Sequence, residues 1–236
     1  MSRRRRVDYQ SVLEAVVDAM PRRPRVQAVV ADFELAVWTA VRHVLSGVVM
    51  RGCNFHFAQA LWRNVQSLGL QSLYSSDDAV NRVCRKTMAL SYLPSAAIPA
   101  AFEELERDNV RPVVTAHLDY VRRNWVESAV WPPSSWSVFM QPIRTNNDVE
   151  GWHRRLNSKA GHGKLNLYQL VSLLQQEATL GDVEVKLMSQ GAAVRVQRSK
   201  YRKMNDFIFA RWAEYSQGTR SAASLLSACS HAVKHV

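Results

Sequence analysis

The sequence predicts an α/β chain that is predominantly helical, and three observations carry that prediction. Two short β-branched apolar runs, "VQAVVADF" and "VVMRGCNF", have the composition of strands at about 26–31 and 48–52. Between them "FELAVWTAVRHVLSG" has helical spacing and closes on Gly47, so strand, helix and strand fall within about 28 residues as one βαβ unit. After that unit nearly every segment has the 3.6-residue period of a helix.

The elements follow in order. "VDYQSVLEAVVDAM" (7–20) places Val12, Ala15, Val16 and Ala19 on one helical face, and "PRRP" stops it. The run at 26–31 reads as a strand buried on both faces, with Asp32 at its C-terminal end. Beyond the βαβ unit, "HFAQALWRNVQSLGL" predicts a helix ended near Gly69, and "DDAVNRVCRKTMALSYLP" one capped by Asp77 or Asp78. "IPAAFEELERDN" and "RPVVTAHLDYVRRNWVE" predict two more, the second with Pro112 in its first turn. "WPPSSWSVF" is a connection, and helices follow over about 147–160, 166–190 and 196–217. The Ser/Ala tail from 218 has no strong pattern, and no internal repeat or low-complexity block is visible.

The formal charge of +11 at pH 7 is the informative part of the composition, because it favours a polyanionic partner, nucleic acid foremost. The excess is uneven. Met1 to Arg25 holds seven Arg against three acids, Gly151 to Lys164 holds four basic residues and no acid, and Arg195 to Arg211 holds six against Asp206. Such segments suit phosphate contacts better than a uniform solubility coat does, although a solvated Arg face is the plainer alternative. The Arg run at 3–6 reads as a short nuclear import signal, with the cytoplasm as the default without it. The absence of an apolar signal core argues against secretion, and no apolar run reaches the roughly 18–20 residues of a membrane span. Three cysteines, Cys53, Cys84 and Cys229, make no disulfide framework.

Four positions invite chemistry. Asp32, at the C-terminal end of a parallel strand, faces the crevice where open α/β sheets bind ligands, or else caps the helix that follows. "RTNNDVEGWHRRLN" (144–157) puts Glu150 three residues after Asn147, where a capping-box carboxylate sits, with His153 one turn later. "GCNFHF" offers Cys53 and His56 at a C-x-x-H spacing, but Cys84, His117, His153 and His162 do not complete a zinc site. Trp38, Trp62, Trp125 and Trp152 lie on helices and read as core, whereas Trp131 and Trp136 are open to packing or to base stacking. There is no P-loop, dinucleotide fingerprint or nucleophile elbow, and "GHGK" (161–164) is too short for a phosphate cradle.

In order and spacing, "ADFELAVWTAV", "GCNFHFAQALWRNVQSLGLQ", "YLP", "WSVF" and "RTNNDVEGWHRRLN" resemble the Mutator-like (MULE) transposase domain over about residues 28–180. The resemblance implies a partial RNase H-like core (26–56 and 141–190) with a large all-helical insertion (57–140). A basic N-terminal segment and helix (1–25) and a basic C-terminal helix and tail (191–236) flank it. It implies a DDE nuclease using Mg²⁺ or Mn²⁺, in which Asp32 corresponds to the second triad Asp and Glu150 to the closing Glu. Cys53, His56 and His153 correspond to its site-associated C-x-x-H and E-x-x-H elements. Arg154, Arg155, Lys159 and Lys164 are the expected phosphate contacts.

One departure outweighs the matches. The first triad Asp belongs on a central strand upstream of Asp32, yet the 31 residues before Asp32 read as an Arg run, a helix and a proline break. The expectation is therefore a transposase-derived, DNA-associated protein that lacks a bridging carboxylate and is catalytically incomplete. A helical interaction module pairing with itself or with an intact transposase is the alternative, and an active nuclease would need a carboxylate supplied elsewhere. Two strands alone are marginal in water, so the outer edge of the 26–31 strand calls for cover.

Overall fold

A computed structural model describes residues 5–109, 111–161, 165–189 and 199–233. Helix dominates, and the two strands pair in parallel as a single small sheet among the described residues. The chain divides into two compact units, 1–145 with 206–236, and 146–205.

In the first unit, α1 (Arg6–Asp18) leads to β1 (Ala28–Ala31), α2 (Leu35–Val44) and β2 (Val49–Gly52). The register pairs Ala28 with Val49 and Ala31 with Gly52, and the Cys53 amide extends the ladder by donating to the Ala31 carbonyl at 2.8 Å. A buried cluster of Ala31, Trp38, Val41 and Met50 joins sheet to α2, and Leu13 of α1 packs against it. The expectation of a strand buried on both faces is corrected here: Ala28, Val29 and Val30 are only half-buried, and Val49 is 52% exposed. Two strands covered mainly from one side cannot enclose both faces.

The helices that follow are α3 (Asn54–Ser67), α4 (Gln71–Ser76), α5 (Asp78–Ala89), α6 (Ile98–Arg107), α7 (Pro112–Val121) and the one-turn α8 (Pro133–Trp136). Their ends have local causes. The Asp77 side chain accepts from the Ala79 and Val80 amides and so caps α5, while Arg111 grips the same carboxylate from the start of α7. Pro112 occupies the first turn of α7, where a missing N–H costs nothing. Gly69 supplies a positive φ of 69° after α3. After α7 the chain widens into a π-turn over Arg122–Val126, in which the Glu127 amide donates to the Arg122 carbonyl at 2.9 Å.

The tail is not patternless. After α11 (Ser199–Ser216), Ser221 caps α12 (Ala222–Ala232) through the Ser224 amide, and Leu225, Leu226 and Cys229 are buried. α12 packs on α5 and α6, and Arg85 donates to the Ser230 carbonyl at 2.8 Å. Its order comes from tertiary burial, which a Ser/Ala composition does not advertise locally.

The second unit holds α9 (Asn147–Ala160) and α10 (Leu167–Ser189), with the start of α11. Asn146, not Asn147, is the residue before α9, and the Val149 and Glu150 amides both donate to its carbonyl. Glu150 is therefore the fourth residue of the helix, one place beyond the capping-box position.

Candidate functional site

The ladder between β1 and β2 builds the site. The Cys53 amide finishes it and Cys53 precedes the first turn of α3, so His56 projects one turn into that helix, beside the end of β1. Asp32 immediately follows β1. Its carbonyl accepts from the Trp38 indole at 2.7 Å and from the Glu34 amide at 2.9 Å, which turns the chain sharply into α2. Glu34, not Asp32, is the residue that precedes α2, so Asp32 does not hold the N-cap position. Its carboxylate instead meets the His56 imidazole, with Oδ1 and Nδ1 2.8 Å apart.

This pair lines a cleft of about 550 Å³. Phe33, Trp125 and Trp131 form its aromatic wall, while Glu34, Gln59, Arg63, Tyr120 and Asn124 supply the polar groups. Gly52 makes the wall possible. A Cβ there would fall 2.3 Å from the Phe33 ring, which is wedged edge-on against Trp125 and Trp131 at 4.8 and 5.3 Å between centroids. The π-turn places Asn124 and Trp125, adjacent in sequence, on the same cleft. Trp125 is 5% exposed, and its Nε1–H has no acceptor among the described residues.

The other expected residues divide between the units. Asp32, Cys53 and His56 belong to the first, with Cys53 fully buried; Glu150, His153, Arg154, Arg155 and Lys159 belong to the second. Lys164, with His162, lies outside the described residues, as do Arg3 and Arg4 of the N-terminal run. On α9, Glu150 is half-buried, and His153 is exposed with its ring 5.2 Å from that of Trp152.

The expected phosphate contacts have unequal surroundings. Glu177 of α10, itself buried, takes Arg155 at 2.9 Å and Lys159 at 2.6 Å, and these two partners hold its carboxyl below the usual range, Lys159 most strongly. Two of the four expected cations, though exposed, are thus paired with one carboxylate within the unit, and Arg154 is exposed beside them. Nothing local in the sequence links Glu177 to residues 18 and 22 positions earlier.

The resemblance implies a divalent metal; no three His, Cys, Asp or Glu side chains among the described residues come together to hold an ion, and the Asp32 carboxylate meets the His56 ring nitrogen. A thiol nucleophile fits poorly at Cys84 or Cys229, whose pKa burial pushes up to about 12. Sequence reasoning missed the aromatic and amide lining of the cleft, since Gln59 of α3 and the Tyr120–Trp125 stretch of α7 and its π-turn share no motif. Among the described residues no helix is long and apolar enough to cross a membrane. Compared with known families, curated proteins and solved structures, the chain matches none.

Proposed function

We propose that this chain is a transposase-derived, DNA-associated protein that binds DNA without cutting it. One observation carries the reading: Asp32 and His56, distant in sequence and both singled out by the resemblance to Mutator-like transposases, meet at 2.8 Å at the C-terminal end of a parallel strand. That is where open α/β sheets place ligands. The +11 charge supplies the attraction to a polyanion, and the α9 surface with Arg154 is one place where it concentrates. The resemblance assigns Asp32 and Glu150, one in each unit, to metal carboxylates; the acids that precede Asp32, namely Asp8, Glu14 and Asp18, all lie on α1 rather than on a strand, which supports binding without cleavage by this chain.

The test is duplex affinity against salt. With about two to four phosphate contacts, raising salt from about 50 to 200 mM should weaken binding roughly 10- to 150-fold. Affinity that ignores salt, or no binding at low salt, overturns the reading.

A second reading, a helical interaction module, is favoured by apolar surface. Leu167, Leu170, Val171 and Leu174 of α10 are all exposed at the i, i+3, i+4, i+7 spacing of one stripe. β1 has no strand on its outer edge among the described residues. In that reading the partner is another copy or an intact transposase, and binding to DNA is absent at every salt concentration.

A further inference from the structure

We propose that the cleft beside Asp32 and His56 receives an unpaired nucleobase, a role that rests on the DNA-binding reading above and narrows it. The first ground is the Trp125 indole. A buried N–H without an acceptor costs about 1–3 kcal/mol; Trp125 lines the cleft while its Nε1–H is buried, so a ligand acceptor that reaches behind the ring edge recovers that loss. The second ground is the rest of the lining. The Gln59 amide offers a donor and an acceptor, the pairing that reads a base edge; Asn124, whose nitrogen gives one hydrogen to the Tyr120 carbonyl at 2.9 Å, adds its oxygen and second N–H, and Tyr120 adds a hydroxyl. Half-buried Phe33 and Trp131 leave ring surface available to a flat ligand.

Charge selects among flat ligands and against free anions. Two carboxylates, Asp32 and Glu34, face one guanidinium, Arg63, and the His56 imidazole, so the cleft has no net attraction for phosphate. The base is the neutral part of a nucleotide, and the chain's positive surface holds the backbone that presents it. At about 550 Å³ the cleft lies within the range of small-ligand sites. Recognition needs the base outside its duplex, because a stacked and paired base exposes neither its faces nor its pairing edge.

Three duplexes of equal length test this: one fully paired, one carrying a single extrahelical nucleotide, and one carrying an abasic residue at that place. The extrahelical base should be bound about tenfold tighter than either control, and 2-aminopurine at that position should change fluorescence on binding. Asn124→Ala, whose side chain is exposed, should remove the preference and leave affinity for the paired duplex intact. Trp125→Phe, which deletes the N–H together with part of the ring, should also reduce the preference. Equal affinity for all three duplexes overturns the nucleobase site and leaves DNA binding standing. Tight binding of the abasic duplex also overturns it, since the recognised feature is then backbone shape. Failure to bind any duplex at low salt overturns the DNA reading as well.

Discussion

Trp212→Ala should lower the unfolding free energy of the first unit by about 3–5 kcal/mol, the range for deleting a fully buried aromatic. Trp212 of α11 has no exposed surface, and its indole donates to the Tyr92 carbonyl at 2.8 Å. Phe139 and Phe209 meet it edge-on at 5.6 and 5.0 Å, and the Arg144 guanidinium lies 5.7 Å from its centroid. Removing the ring opens a cavity, strands the Tyr92 carbonyl and takes away the face that Arg144 covers. At roughly 2–4 °C per kcal/mol for a chain of this size, the loss in Tm is on the order of 10 °C, measurable by calorimetry. Trp212→Phe should cost less, about 1–3 kcal/mol, because packing is partly retained and mainly the hydrogen bond is lost. A cost below about 1 kcal/mol for the alanine variant would mean that α11 does not complete this core.

The second large effect is one of pH. His117 of α7 is fully buried, with Nδ1 2.8 Å from Asn64 Oδ1 on α3 and Nε2 3.0 Å from Thr87 Oγ1 on α5. The Asn64 amide oxygen accepts the Nδ1 proton, the Thr87 hydroxyl donates to the Cys84 carbonyl, and burial favours the neutral ring. Burial lowers its pKa to about 4. The unfolded chain binds a proton near pH 6.5 that the folded one refuses, so stability is full above that pH and is lost as pH falls toward about 4. The whole loss amounts to about 3 kcal/mol. Carboxylates with lowered pKa, such as Asp77 and Glu177, contribute stability that is lost only in more acidic solution. Denaturant titrations between pH 4.5 and 7.5 should therefore show this slope in the native chain and a flatter one in His117→Gln. An equal slope in both would assign the acid sensitivity elsewhere.

The parts of the fold legible in the sequence are those with local causes. Val29 and Val30 make a strand wherever their side chains can be covered, Asp77 and Pro112 mark helix starts, and Gly47 and Gly69 take up the positive φ that their helix ends require. What escaped is what distance makes. α12 is a helix because Leu225, Leu226 and Cys229 find α5 and α6, and the π-turn at Arg122–Val126 has no signature in "RRNWV". In the site, the order of motifs led to Asp32 and His56, and their meeting is the part that such reasoning could reach. The pairing of Arg155 and Lys159 with Glu177 and the unmatched Trp125 donor depend on which helices pack together. Neither has a period or spacing to read.

Binding without cleavage can be measured in one experiment on supercoiled plasmid. The protein is added at low salt with Mg²⁺ or Mn²⁺, and each sample is run on a gel before and after the protein is stripped away. The account predicts plasmid that is retarded while protein is bound and fully supercoiled once it is removed. Plasmid that is never retarded, or that emerges nicked by the native chain but intact with Asp32→Ala and with Glu150→Ala, would contradict it.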